Sequence, residues 1–351
     1  MKKYRHSKKT VIFIVIFNLL ISFGGGYAIR FYITFYRPNI QTSENPFIIY
    51  VPQGANFDTI LDSLDAQQCL RNRKSFIRAA KEEGLPERIK GGRYELSTGM
   101  NNKKVVRRLV LGQQKPVNLV VSGNIRSIER LSAVLTRNIE ADSLSMLLLL
   151  TDEEHINRMG FDSTSLFSLI LPNTYEVYWN ASPQNIIERL YKEYNRFWSE
   201  ERRAKASSIG LSLDQVSTLA SIVYEETRYQ PEMATIAGVY MNRLKRGIPL
   251  QADPTLIFSL RDPTIRRVLS VDTKVDSPYN TYKHQGLPPG PICVPSLATI
   301  DAVLNYQTHN YLFFCANSEF TGSHLFATNY SDHLRNAKAY HKALNERGIK
   351  R

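Results

Sequence analysis

LSLDQVSTLASIVYEETRY, residues Leu211 to Tyr229, carries two adjacent carboxylates at the end of an otherwise apolar helical pattern. Ser212 suits the N-cap, where a serine oxygen satisfies an amide that the first helical turn leaves unpaired. Val216, Leu219, Ala220 and Val223 recur at the i, i+3, i+4, i+7 spacing of a buried helix face. Glu225 follows the polar row of Thr218 and Ser221, whereas Glu226 follows the apolar row of Leu219, Ile222 and Val223. The phase therefore directs Glu225 to solvent and Glu226 to the core. A carboxylate inside is costly unless it is paired or protonated, and burial raises its pKa. Phase alone leaves two readings of Glu226: a structural acid satisfied by an arginine or by backbone groups, or a carboxyl kept protonated as a general acid.

The rest of the chain frames that choice. Its 351 residues, 43% hydrophobic, are enough for two or three domains with real cores. MKKYRHSKK supplies five basic residues (Lys2, Lys3, Arg5, Lys8 and Lys9) and no acid. Val11–Ile29 follows without a charge, nineteen residues that as a helix come close to the ~30 Å of a bilayer core. Arg30 and the aromatic FYITFY sit where an interfacial belt belongs. The small residues Gly24–Gly26 and Ala28 also fit a cleaved leader, but the apolar run is longer than a usual leader core, favouring an uncleaved anchor. The basic flank then stays in the cytoplasm and Arg37 onward lies outside. Net charge is +13; six Lys/Arg precede Arg37 with no acid among them, so removing them leaves +7 outside. A basic surface suits anionic polymers or lipid, and the topology argues against nucleic acid as partner. Cys69, Cys293 and Cys315 are too dispersed for a CxxC site, although Cys293 with Cys315 could bridge. The seven histidines show no HExxH spacing, and no P-loop, GxGxxG or GxSxG occurs, so neither a metal nor a cofactor is expected.

Four segments emerge: a basic tail over 1–10, an anchor with its interfacial segment over 11–36, a small α/β subdomain over 46–116, and a larger domain over 117–351. In the subdomain, a strand-like run before Gly54 leads into a helix capped by Asn56, then a second short helix ending near Gly84. GRYEL reads as a strand, and a further helix is capped by Asn101 or Asn102 and stopped by Gly112. This arrangement is similar to the LysM-like fold that grips glycan chains. VNLVV opens the larger domain, LPNTYEVYW is a loop entering a strand, and the remainder is mainly helical. The fold class is α+β.

Downstream of Glu226, Asn280, Thr281, Tyr282, His284 and Gln285 stand beside GLPPGP, a rigid polar loop rather than a core element. Proline fixes the backbone and lowers the entropy cost of presenting such groups. Hydroxyls, amides and flat aromatics are what a sugar polymer needs for hydrogen bonding and stacking. Asp253 and Asp276 are candidates for a second carboxylate, though aspartate before Pro or Ser more often orders a turn.

LASIVYEET, AGVYMNRLKRGIPLQADPT, SPYNTYKHQGLPPGPIC and YLFFCANSEFTGSHLFATNYSDH together resemble the membrane-anchored endolytic murein transglycosylase family, YceG-like, in order from about Phe47 to His341. The resemblance puts the catalytic glutamate directly before the threonine of the ET pair, on Glu226, in agreement with helical phase. It implies a substrate-binding set of Asn242, Gln251, Asp253, Tyr279, Asn280, Thr281, Tyr282 and His324, with no cofactor. Two departures stand out. Tyr224 replaces a glutamate common two residues before the catalytic one, and Val294, Pro295 and Ser296 replace a usual Asn-Pro-Gly.

The resemblance further implies a single-carboxylate reaction in which the 6-hydroxyl of N-acetylmuramic acid closes a 1,6-anhydro ring, ending strand growth inside the glycan. Glu226 would protonate the bridging oxygen and then accept the hydroxyl proton. The implied partners are peptidoglycan strands, the bacterial cytoplasmic membrane through the single N-terminal helix, and neighbouring wall-synthesis machinery. A catalytically idle wall-binding scaffold and a hydrolase of the same bond remain the competing expectations.

Overall fold

The structure, a computed structural model, describes residues 8–42, 46–261, 265 and 268–347. Of the basic flank, Lys2, Lys3 and Arg5 lie outside the described residues. Two units divide the chain, and the fold is mixed helical α+β with one long apolar helix at its start.

The first unit comprises Met1–Val117 together with Asn138–Glu140 and Glu176–Ala181. Helix α1, Lys8–Phe35, is long and apolar enough to cross a membrane, with a mean hydropathy of 2.1 over its most apolar 18 residues. Residues 31–35 of the aromatic FYITFY segment continue the helix, with Tyr36 in the turn after it, and only Thr34 and Phe35 of the helix are buried. Strand β1, Phe47–Val51, pairs antiparallel with β2, Gly92–Leu96, from Phe47 opposite Leu96 to Val51 opposite Gly92. Alternate residues Phe47, Ile49 and Val51 point inward, the period of two that a half-buried strand requires. Helices α2 (Phe57–Ala66), α3 (Arg73–Glu82) and α4 (Asn102–Leu111) bring Ile60, Leu64, Phe76, Val105 and Leu109 into the same core. Asn56, Asn72 and Asn101 each accept an amide at these helix starts, and Gly112 ends α4 in the left-handed conformation with φ 68°. A fully buried amide fastens the end of α1. Asn102 Nδ2 donates to Thr34 O at 2.8 Å and to Ser75 Oγ at 3.0 Å, while its Oδ1 accepts from Asn39 Nδ2 at 2.7 Å.

The second unit takes the remainder, Asn118–Arg137, Ala141–Tyr175 and Ser182–Arg351. Strand β3, Val117–Val121, pairs with β4, Asn173–Val177; between them run α5 (Ile128–Leu135), α6 (Ser143–Thr151), α7 (Glu153–Arg158) and α8 (Leu166–Leu169). Then come α9 (Pro183–Phe197), α10 (Glu200–Ser208), α11 (Leu213–Glu226) and α12 (Gln230–Lys245). After α13 (Asp253–Leu260), a long proline-rich stretch leads to α14 (Leu297–Leu304), the hairpin of β5 (Phe313–Ala316) and β6 (His324–Ala327), and α15 (Tyr330–Glu346). Helix α11 is the centre of this unit. Every residue from Val216 to Val223 is buried, because α12, α13, α14 and α8 all pack on it.

Gly238 lets the chain cross α12 at close range. A Cβ there would lie 2.3 Å from Gln307 O and 2.6 Å from His309 Nε2. Overpacking of this kind costs about 1–3 kcal/mol. Gly238→Ala is expected to lower the thermal unfolding midpoint of the detergent-solubilised chain by several degrees; an unchanged midpoint would show that the crossing is loose.

Candidate active site

The site begins with the local chemistry of α11. Ser212 accepts from Gln215 N and the Gln215 side chain accepts in turn from Ser212 N, a reciprocal cap that starts the helix. The hydroxyls within it are satisfied locally: Thr218 Oγ1 donates to Asp214 O at 2.7 Å, and Ser221 Oγ to Thr218 O at 2.7 Å. Small self-satisfied hydroxyls can be buried cheaply, so this polar row faces protein rather than water. Ser221 Oγ also accepts from Ile292 N at 3.0 Å, tying the helix to the proline-rich stretch.

That packing overturns the expectation for Glu225. Its side chain is 4% exposed and is paired with Arg126 and, at 3.4 Å, with Arg228. Helical phase identifies which residues share a face; it does not reveal that an arginine 99 positions away covers it. Two guanidinium groups compensate this charge, one from the loop between β3 and α5 and one just past the end of α11.

Glu226, the last residue of α11, has no cationic side chain among its hydrogen-bond partners. Its Oε1 accepts from the buried Tyr240 hydroxyl at 2.6 Å. Enclosure by protein pushes its carboxyl up to about 7; the tyrosine bond opposes this, and the charges of Asp253 and Glu225 add to it. One side stays open, onto a cavity of about 360 Å³ lined also by Thr227, Arg228, the β5–β6 turn and Tyr340. His324 lines the same cavity. Adjacent carboxylates thus have opposite environments, one neutralised by cations and one able to hold a proton near neutrality.

The other residues singled out from the sequence divide by what their side chains touch. Asp253, first in α13, accepts from the Tyr282 hydroxyl at 2.5 Å, and its charge is felt at Glu226. Burial and this partner raise the Tyr282 phenol above its usual range. Gln251 takes the left-handed region, φ 52°, and its N–H donates to Thr281 O. Thr281 is buried, with Oγ1 accepting from Ala252 N at 3.0 Å and bonded to Thr255 Oγ1 at 2.9 Å. Asn280 is fully buried: Nδ2 donates to Thr273 O and Val275 O, and Oδ1 accepts from Tyr282 N. Tyr279 packs on Phe258 with centroids 4.8 Å apart. Asn242 donates to His309 O and Tyr311 O, holding the segment that feeds β5. These contacts make Asn242, Asn280 and Thr281 the groups that shape the surrounding loops, while Glu226 and His324 share the open cavity. Asp276 is exposed, as are His284 and Gln285.

Sequence reasoning missed Tyr240, Glu232 and the Arg126–Glu225–Arg228 cluster. Tyr240 did carry a signal, a hydroxyl on an apolar helix in the segment after Glu226; the others depend on long-range packing. Where Asn-Pro-Gly was expected, Val294 is buried with its N–H on Ile125 O, and Ser296 caps α14 by accepting from Thr299 N. Cys293 and Cys315 are free thiols, with no bridge between them. Among the described residues no three His, Cys, Asp or Glu side chains gather to hold a metal ion.

The proton on Glu226 carries a signature in stability. Below pH 4.5, the ordinary value for this side chain, folded and unfolded states both hold the proton and the full contribution is present. As pH rises toward about 7 the unfolded chain ionises first, so this contribution is lost across that window and no further above it. Glu226→Gln removes the dependence. Relative to wild type it should gain on the order of 1–3 kcal/mol between pH 4 and pH 8. Paired melts across that range read the difference, and a constant offset would contradict the buried acid.

With this geometry in hand, the chain's relatives can be placed. The YceG-like family model matches residues 49–339. A Bacillus subtilis (strain 168) protein named endolytic murein transglycosylase is 26% identical over 326 residues, spanning 89% of each chain. A Streptococcus pneumoniae (strain D39) protein of the same name is 25% identical over 362 residues; the match takes in 94% of this chain and 65% of that longer one. In structure, the crystallised YceG-like protein lmo1499 of Listeria monocytogenes aligns with a TM-score of 0.55 and 25% identity, over 84% of this chain and 99% of that one. The chain belongs to the YceG-like family.

Proposed function

We propose that this chain is an endolytic peptidoglycan lytic transglycosylase that cuts the MurNAc–GlcNAc bond within glycan strands and leaves 1,6-anhydro-MurNAc ends. The observation that carries the reading is Glu226: a carboxyl raised to about 7, held by Tyr240, and opening onto a cavity. A general acid must hold its proton at the working pH and still be willing to release it. Both curated relatives described above bear the matching name.

In the reaction, Glu226 protonates the bridging oxygen as the anomeric carbon–oxygen bond breaks. The muramoyl 6-hydroxyl attacks that carbon, and its proton leaves to a base, for which the newly ionised Glu226 is one acceptor. Intramolecular attack replaces the second carboxylate of an ordinary glycosidase, because a tethered nucleophile has an effective molarity of ~10⁵ M or more. Asp253, engaged by Tyr282, acts as an orienting charge beside the acid.

Helix α1 serves in this account as a single membrane span, with the basic tail in the cytoplasm and the catalytic unit outside a bacterial cytoplasmic membrane. Residues 46–116 serve as the LysM-like glycan-gripping subdomain and 117–351 as the catalytic domain. Cleavage close to the bilayer would end strand growth where new strands emerge, beside the wall-synthesis machinery.

The test is mass spectrometry of uncrosslinked murein strands after incubation with the purified chain and with Glu226→Gln. Internal cuts with anhydro ends in wild type alone are expected; reducing ends would mean hydrolysis, and binding without cuts would mean an idle scaffold. Tyr240→Phe supplies a finer check. Its hydroxyl favours the ionised carboxylate, so its loss raises the Glu226 pKa further. The alkaline limb of kcat/KM should move upward by roughly one unit, the worth of a hydrogen bond to a charged group.

A further inference from the structure

One pair of side chains has no part in the reaction as written so far: His324, which lines the cavity, and Glu232, which holds it from behind. His324 opens β6, and Glu232 stands in the first turn of α12. Glu232 commits both carboxylate oxygens to this one residue. Its Oε2 lies 2.9 Å from His324 Nδ1, and the two oxygens accept from His324 N at 3.0 and 3.1 Å. Both side chains are 14% exposed, and the Phe314 ring packs edge-on against the imidazole at 5.4 Å. A carboxylate on Nδ1 fixes the tautomer: Nδ1 carries the hydrogen, and Nε2 is left as the basic nitrogen. His324 lines the same cavity as Glu226.

We propose that His324, oriented by Glu232, is the base that takes the muramoyl 6-hydroxyl proton. This rests on the transglycosylase reading and deepens it by dividing two roles between two residues. Glu226 gives its proton to the leaving oxygen, which departs with the electron pair of the broken glycosidic bond. The 6-oxygen forms the new bond to the anomeric carbon, and its proton passes to His324 Nε2. The imidazolium so formed is stabilised by the Glu232 carboxylate, and its proton returns through solvent to Glu226, restoring both groups. Ring closure then need not wait for Glu226 to ionise. The charged and titratable neighbours lining the cavity are Glu226 and Arg228 at the end of α11 and Tyr340 on α15, with Glu232 on α12 behind the imidazole.

A purely structural alternative is that Glu232 ties the hairpin to α12. His324→Asn separates the two, because the asparagine amide can donate to Glu232 as Nδ1 does but offers no basic nitrogen. Turnover of uncrosslinked strands is measured for wild type, His324→Asn, Glu232→Gln and Glu226→Gln, with circular dichroism on each. Base catalysis is typically worth ~10²–10⁴-fold. His324→Asn should therefore lose at least about 100-fold in kcat with KM within about 3-fold. Glu232→Gln, which keeps an acceptor for Nδ1 but no charge, should lose about 10-fold or more in kcat and likewise spare KM. Near-wild-type kcat in a folded His324→Asn overturns the proposal. Should that variant fail to fold, near-wild-type kcat in Glu232→Gln overturns it, and a selective fall in its kcat supports it. Failure of the broader reading looks different: wild type itself would then produce no anhydro ends, or Glu226→Gln would still cut.

Discussion

The carboxyl of Glu226, at the end of a helix buried from Val216 to Val223 and touched by one tyrosine hydroxyl, is the constraint around which the second unit is arranged. Leaving an ionised carboxylate inside protein without a cation costs several kcal/mol, and the usual escape is to keep the proton. Helix α11 makes that escape the rule at Glu226, while next door Arg126 and Arg228 supply the cations that cover Glu225. The surrounding elements then hold the geometry. Asn242 and Gly238 let the segment before β5 lie tight on α12, Thr281 pins the polar loop to the start of α13, and Ser221 pins the proline-rich stretch to α11.

Much of this was legible in the sequence, for a physical reason. Helical period and capping are local, so α11 with its Ser212 cap, the inward Glu226, the cap Asn56, and a cap at Asn101 or Asn102 (the structure uses Asn101) could all be read from neighbours a few residues apart. Prolines beside amides and hydroxyls likewise announced an ordered loop. What was illegible is long-range. Glu225 looked solvent-facing because the residues behind it are polar, yet the helix is covered on that side too. Asn280 and Thr281 looked like hydrogen-bonding groups offered outward, and their bonds turn inward to order the loop instead. A polar side chain advertises that it will find a partner; only the fold says whether the partner is substrate or backbone.

The Glu232–His324 pair illustrates the same limit. The two residues lie 92 positions apart, and neither carries a local signal that would join them. Their meeting beside Glu226 depends on the β5–β6 hairpin being laid against the start of α12. The cavity therefore draws its lining from separate places in the chain, the end of α11, the β5–β6 hairpin and α15, with the start of α12 holding His324 from behind. That dispersal is why motif reading singled out Glu226 and His324 but gave no sign of Glu232.

The most direct test of the account is a titration of Glu226 itself. Carbon-13 label at the glutamate side-chain carboxyl, with wild-type and Glu226→Gln spectra compared to assign the resonance, would follow its ionisation by NMR in the detergent-solubilised chain. The account predicts a midpoint near 7. A midpoint at the ordinary value of 4.5 would mean the carboxylate is ionised and solvated at neutral pH, contradicting its role as the acid.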